Sequence, residues 1–170
     1  MKKRFQVAIA LVIAVVAPGS GLHAPAAAPA RQGVMAGQYV ISEVQAKLYY
    51  SNRGTFSRNV LDNPNITLWN VIIGEGSAGG ASENTLVQVV VVGQPKRSAE
   101  GLAVQLTAKT PTRTLLDRRS DVGIMNTNGR YYVGFWLYDT GCERVELTVK
   151  LVGEGGGQAV TKTIPFECGE

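Results

Sequence analysis

Arg144-Val145-Glu146-Leu147-Thr148-Val149-Lys150-Leu151 alternates polar and aliphatic residues without a break. A period of two is the pleat of a β-strand, on which successive side chains leave opposite faces. Val145, Leu147, Val149 and Leu151 therefore mark a buried face, and Arg144, Glu146, Thr148 and Lys150 a solvated one. Gly153-Glu154-Gly155-Gly156-Gly157 follows as a turn, and the chain returns as a partner strand from Val160 to Glu167. Aligning Val152 with Ala159 places position 143 opposite position 168 and brings Cys142 and Cys168 within about a residue of facing each other.

The same reading extends over the rest of the chain. Downstream of the first 37 residues no window keeps a helical apolar period, whereas β-branched and aromatic runs separated by Gly, Asn, Asp and Pro recur to the end. The predicted strands are Gln38–Tyr50, Ile66–Ile73, Thr85–Val92, Leu102–Lys109, Arg130–Tyr138, Arg144–Leu151 and Ala159–Glu167, with short extra pairing around Thr114 and Val122. Thr85–Val92 is almost continuously apolar, the pattern of a central strand. Asn128-Gly129 supplies a turn before the aromatic strand. Seven strands, rising toward nine with the extra pairing, resemble an immunoglobulin-like antiparallel β-sandwich in pattern, and the Cys…Trp…Cys spacing of antibody domains is absent. The segments 51–65 and 74–84 read as loops at the sandwich ends, the first carrying Phe56, Val60 and Leu61 to pack on the body.

Lys2, Lys3 and Arg4 precede an apolar run from Phe5 to Ala17, after which come Pro18-Gly19-Ser20-Gly21 and an Ala/Pro-rich stretch from Ala24 to Ala30. A charged start, a short apolar core and a small-residue exit describe a secretory signal peptide. The apolar run is too short to span a bilayer as a helix, which needs about 20 residues. The expected organisation is a signal peptide over 1–26, a flexible leader over 27–37 and a β-sandwich over 38–170, with a secreted or periplasmic location. No cysteine lies near the cleavage region to accept a lipid, so no stable membrane insertion is expected after cleavage. Removing Lys2, Lys3 and Arg4 leaves 14 basic against 13 acidic residues. That balance excludes a dedicated nucleic-acid binder.

In an oxidising compartment an even cysteine count first implies a disulfide, here Cys142–Cys168. There is no Cys-x-x-Cys, and the sole histidine, His23, lies in the expected signal peptide. Neither a His-based catalytic dyad or triad nor a zinc site is expected, and no metal or other cofactor is implied. Asp139-Thr140-Gly141 after an apolar strand resembles the catalytic loop of an aspartic protease. That chemistry needs two carboxylates sharing a proton, and most of the fold of a retroviral-type protease would follow the triplet, where only 29 residues remain. A tight turn accounts for it. Glu75-Gly76-Ser77-Ala78-Gly79 lacks the first glycine of a nucleophile elbow. Gly153–Gly157 has no Lys-Ser or Lys-Thr behind it and is no phosphate loop. Asp117 and Asp121 enclose Arg118 and Arg119, which oppose cation binding.

One surface feature remains. In Arg130–Tyr138 both faces are apolar or aromatic: Tyr131, Val133, Phe135 and Leu137 share one, and Tyr132, Gly134, Trp136 and Tyr138 the other. A three-residue loop after Asp139 would pair this strand with the next, setting Val133, Phe135 and Leu137 beside Val149, Leu147 and Val145. The opposite face would then combine Tyr132, Trp136 and Tyr138 with Lys150, Arg144 and Glu146, a mixture of aromatic platforms and charges suited to binding a protein or a sugar. The expected binding surface is Tyr132, Trp136, Tyr138, Arg144 and Glu146, and the expected function is a non-catalytic exported module that binds a protein or glycan of the envelope or exterior. Two other classes fit the sequence: a periplasmic inhibitor or immunity-type protein that plugs an enzyme with a loop such as 74–84, and a carboxylate-based hydrolase.

Overall fold

The computed structural model describes residues 38–62, the backbone of 68–69, residue 82, and residues 84–140 and 143–167. Its strands are β1 (Val40–Tyr50), β2 (Thr55–Phe56), β3 (Leu68–Trp69), β4 (Asn84–Val92), β5 (Ala103–Lys109), β6 (Thr114–Asp121), β7 (Arg130–Leu137), β8 (Val145–Val152), β9 (Ala159–Ile164) and β10 (Phe166–Glu167), with a single 3-10 turn at Val60–Asp62. They form two antiparallel sheets, in order β2-β1-β4-β7 and β6-β5-β8-β9, and a small parallel pair, β10-β3. With the letters A, B, C, C′, E, F and G given to β1 and β4–β9, the sheets read A-B-E and C′-C-F-G. This is an immunoglobulin-like β-sandwich in which the chain changes sheet after β4, β6 and β7.

Alternation in the sequence becomes the core. Val44, Ala46, Leu48, Val87, Val89, Val133, Phe135 and Leu137 project inward from the first sheet, and Val104, Leu106, Ala108, Val145, Leu147, Val149 and Leu151 from the second; all are buried. β4 is central, as its apolar run predicts, and its outward Leu86 and Gln88 are half-buried beneath neighbouring side chains.

Three expectations change. The β8–β9 register is offset by two residues from the one aligned on Val152: Lys150 pairs with Ala159 and Val145 with Ile164. The connection is longer because Gly157 donates to the Leu151 carbonyl, with left-handed backbone at Gly153, Gly155 and Gly157. The returning strand also breaks at Pro165, which has no N–H to give a ladder, and Phe166–Glu167 leaves to pair in parallel with Leu68–Trp69. Finally, what looked like short pairing near Thr114 is the eight-residue strand β6, paired to β5 along its length. Of the predicted strand 66–73, only 68–69 falls within the described residues. Cys142, Cys168, the signal peptide, the leader and most of the loop 74–84 lie outside them.

The free edge of the first sheet at β1 is closed by side chains and loops. Beyond the two-residue β2, Leu48 N donates to Ser57 Oγ (2.9 Å), Ala46 N to Asn59 Oδ1 (2.8 Å) and Ile41 N to Gln158 Oε1 (2.6 Å). Buried backbone donors need partners, and here short polar side chains take the place of a missing strand.

Candidate functional site

Trp136 projects outward from β7, one residue from buried Phe135 and Leu137. Its ring lies across β4 and meets Tyr49 edge-on, with centroids 5.7 Å apart. Phe56 completes a triangle, 5.2 Å from Tyr49 and 5.8 Å from Trp136, while Tyr138 stacks beside Trp136 at 6.4 Å with the planes only 16° apart. The cluster is held by sheet register: Tyr49 pairs with Asn84 on one side and Phe56 on the other, and Leu86 pairs with Trp136. Phe56 is 44%, Trp136 38% and Tyr138 63% exposed, so aromatic rings that could have entered the core remain in water. Ser82 fastens the chain entering β4, its hydroxyl within 2.8 Å of both the Tyr49 and Asn84 carbonyl oxygens.

Beside this cluster is a groove of about 420 Å³ between the facing edges of β6 and β7. Phe135, Leu115 and Leu116 line it with apolar surface, Trp136 and Tyr138 form one rim, and Arg113 and Arg118 add positive charge. Arg113 donates to the Asp139 carbonyl (3.2 Å). Among the described residues the one ion pair is Arg119–Asp121, so neither Arg113 nor Arg118 has a carboxylate within 4.0 Å.

The β7–β8 connection explains the protease-like triplet. Asp139 takes a left-handed backbone (φ 53°), and Thr140 is buried with its hydroxyl 2.9 Å from that of Thr85 on β4. The threonine anchors the turn to the sheet, and Asp139 is exposed. Four residues on, Glu143 accepts from the Thr112 hydroxyl (2.8 Å). Hydrogen bonds from Thr110 and Thr112, with the nearby Arg113 charge, hold its carboxyl below the usual glutamate range.

The five residues expected to form one surface divide between the sheets. Tyr132, Trp136 and Tyr138 are exposed on the outer face of the first sheet. β7 pairs with β4, not with β8, because the chain crosses to the other sheet between them. Glu146 stands on β8 between Lys109 of β5 and Thr163 of β9, and Arg144 is exposed just before β8; neither can act as a cross-strand neighbour of the aromatics. The inward residues of the two strands do belong to one buried core. Two members of the cluster were missing from the sequence expectation. Tyr49 follows Gln45 and Lys47 on the outward face of β1, so alternation could have placed it there. Phe56 had no such signal, since its position depends on a two-residue strand. Compared with protein-family models and with curated proteins, the sequence matches none.

Proposed function

We propose that this protein is an exported, non-catalytic β-sandwich that binds another envelope or extracellular component through the aromatic end of its first sheet. One observation carries the reading: Tyr49, Phe56, Trp136 and Tyr138 are gathered on one outer face with Phe56, Trp136 and Tyr138 open to water. Large rings add binding energy when a partner removes their surface from water, and they do so at little conformational cost because they are already packed on one another. Gly134, exposed between Tyr132 and Trp136, leaves a depression that a partner side chain or a sugar ring can enter.

The test is crosslinking of intact cells that carry a C-terminally tagged protein, followed by mass spectrometry of what the mature form captures. Trp136→Ala is the control, with its thermal unfolding measured to show that the sandwich persists. Loss of a specific partner in the control supports the reading. An unchanged capture pattern refutes it.

A further inference from the structure

A sandwich with open sheets has four lateral edges, and three of them here carry devices against pairing with another chain. At β1 the edge donors are bound by Ser57, Asn59 and Gln158. β6 carries Asp117, Arg118, Arg119 and Asp121, and its register with β5 is broken by an irregularity at Ala108/Lys109. β9 is approached by β1 and by the 3-10 turn that follows β2. Among the described residues β7 has no capping side chain, no charge within Tyr131–Leu137 and no break in register, although β5 and β6 of the facing sheet come near it. It runs in unbroken register with β4 from Arg130↔Val92 to Leu137↔Thr85, and Tyr131–Leu137 contains no charge and no proline. Among the described residues no side chain or loop hydrogen-bonds to the outer edge of Tyr131–Leu137. A long, regular, apolar edge of this kind is a template for another strand.

We propose that the groove between β6 and β7 receives one extended strand of a partner polypeptide, paired through its backbone to the free edge of β7 and placing an acidic side chain over Arg118. This deepens the binding reading above and rests on it. Leu116 and Arg118 pair with Ala108 and Leu106, whose side chains are fully buried, so both belong to the inward face of β6. Leu116 is nonetheless half-exposed and Arg118 exposed, which means that β6 extends past the cover of β7. The groove left beside the β7 edge is about 420 Å³. Its inward lining offers an apolar contact at Leu116 and a cation without an acidic partner at Arg118, two residues apart. A strand laid there presents alternate side chains at that same spacing. Its complement is therefore an apolar residue and an acidic one separated by one residue. A second copy joined edge to edge through β7 does not fit, because antiparallel pairing keeps both second sheets on the same side and the overhanging β6 already occupies that space.

The probe is a capped eight-residue peptide with threonine at odd positions and valine, glutamate, valine and valine at even ones. A companion peptide has lysine in place of glutamate. Binding to the mature protein is read by fluorescence anisotropy, and the site by amide hydrogen exchange. The expected result is saturable binding of the glutamate peptide, with slowed exchange at alternate residues of Tyr131–Leu137. Arg118→Glu, at an exposed position the fold tolerates, should weaken that binding about tenfold, as expected when an attraction becomes a repulsion, and should favour the lysine peptide. Absence of saturable binding, protection confined to other strands, or equal affinity for both peptides in both proteins would overturn the inference. If the cellular capture depends on Trp136 while the peptide result is negative, strand addition is refuted and the aromatic-face reading stands. If capture ignores Trp136 as well, both fall.

Discussion

Replacing Asn59 by alanine tests whether side chains close the β1 edge as the structure shows. Asn59 Oδ1 accepts from Ala46 N at 2.8 Å and from Leu61 N at 3.3 Å, and Nδ2 donates to Asp62 Oδ1 at 2.7 Å. Ala46 is fully buried, so truncation strips a partner from a donor that water cannot readily replace. An orphaned buried N–H costs about 1–3 kcal/mol. Loss of the cap on the 3-10 turn at Val60–Asp62 adds roughly 0.5–1 kcal/mol. The expected loss is about 2–3 kcal/mol, or on the order of 10 °C in Tm for a domain of this size. Asn59→Asp keeps an acceptor for Ala46 N but sets a carboxylate against Asp62, and should cost only about 1 kcal/mol. Urea unfolding followed by tryptophan fluorescence measures both values, and amide exchange at Ala46 reports the bond itself. If Asn59→Ala lost less than about 0.5 kcal/mol, or left exchange at Ala46 unchanged, water would be satisfying the edge and the account of how it is closed would be wrong.

The turn before β7 and the cysteine pair give two further tests. Gly129 has a left-handed backbone (φ 70°), and a Cβ there would run into the Gly93 carbonyl oxygen; Gly129→Ala should lower stability by about 3 kcal/mol in urea unfolding, while Thr127→Ala, on the exposed part of the same turn, should stay within about 0.5 kcal/mol. For the cysteines, the last β8–β9 pair, Val145↔Ile164, lies three residues after Cys142 and four before Cys168 in the chain; the protein folded in an oxidising medium should resist thiol alkylation until reduced, and reduction should cost about 3.5 kcal/mol on the chain-entropy model. Two freely alkylated thiols in the untreated protein would refute the disulfide.

What the sequence revealed and what it concealed follow from the range of the forces involved. Strands with one face in the core, such as β5 and β8, announce themselves because burial imposes a period of two on neighbouring residues. β6 was hidden because it is an edge strand with little burial: Asp117, Arg118 and Arg119 interrupt the alternation, and only pairing with β5 makes them a strand. Which sheet a strand joins is a non-local choice. The sequences of β7 and β8 allow a hairpin through residues 139–144, and they also allow a crossover between sheets, since both present one apolar face to a common core. The crossover prevails in the structure, where β4 supplies the neighbour of β7 and Thr140 is fastened to Thr85. Arg144 and Glu146 were misplaced beside Trp136 for that reason alone. The outward direction of Tyr132, Trp136 and Tyr138 survived, because it depends on the pleat and not on the partner.

Trp136 and Tyr138 stand in the aromatic cluster and also on the rim of the groove beside the open edge of β7. Each feature taken singly is a liability. Exposed aromatic rings favour non-specific association, and an unprotected apolar edge invites further strands to add without limit. Elsewhere the chain avoids the second hazard by spending Ser57, Asn59 and Gln158 on β1 and a run of charges on β6. Those devices were available to β7 at small structural cost: the outward side chain of Tyr132 is half-exposed and Gly134 is open, so a lysine at either position would fit without entering the core. Instead the edge stays bare where the rings are, and the inward charge beneath it, Arg118, limits what can add. An unselective strand that laid an apolar side chain over Arg118 would desolvate an uncompensated cation, whereas an acidic one would neutralise it. The edge is thus open to strands in general by its backbone and restricted to acidic ones by a single side chain. Arg118→Leu should remove that restriction, so that by fluorescence anisotropy the glutamate peptide loses its advantage over one with valine in its place; a glutamate preference that persists in Arg118→Leu would refute the role given to this side chain.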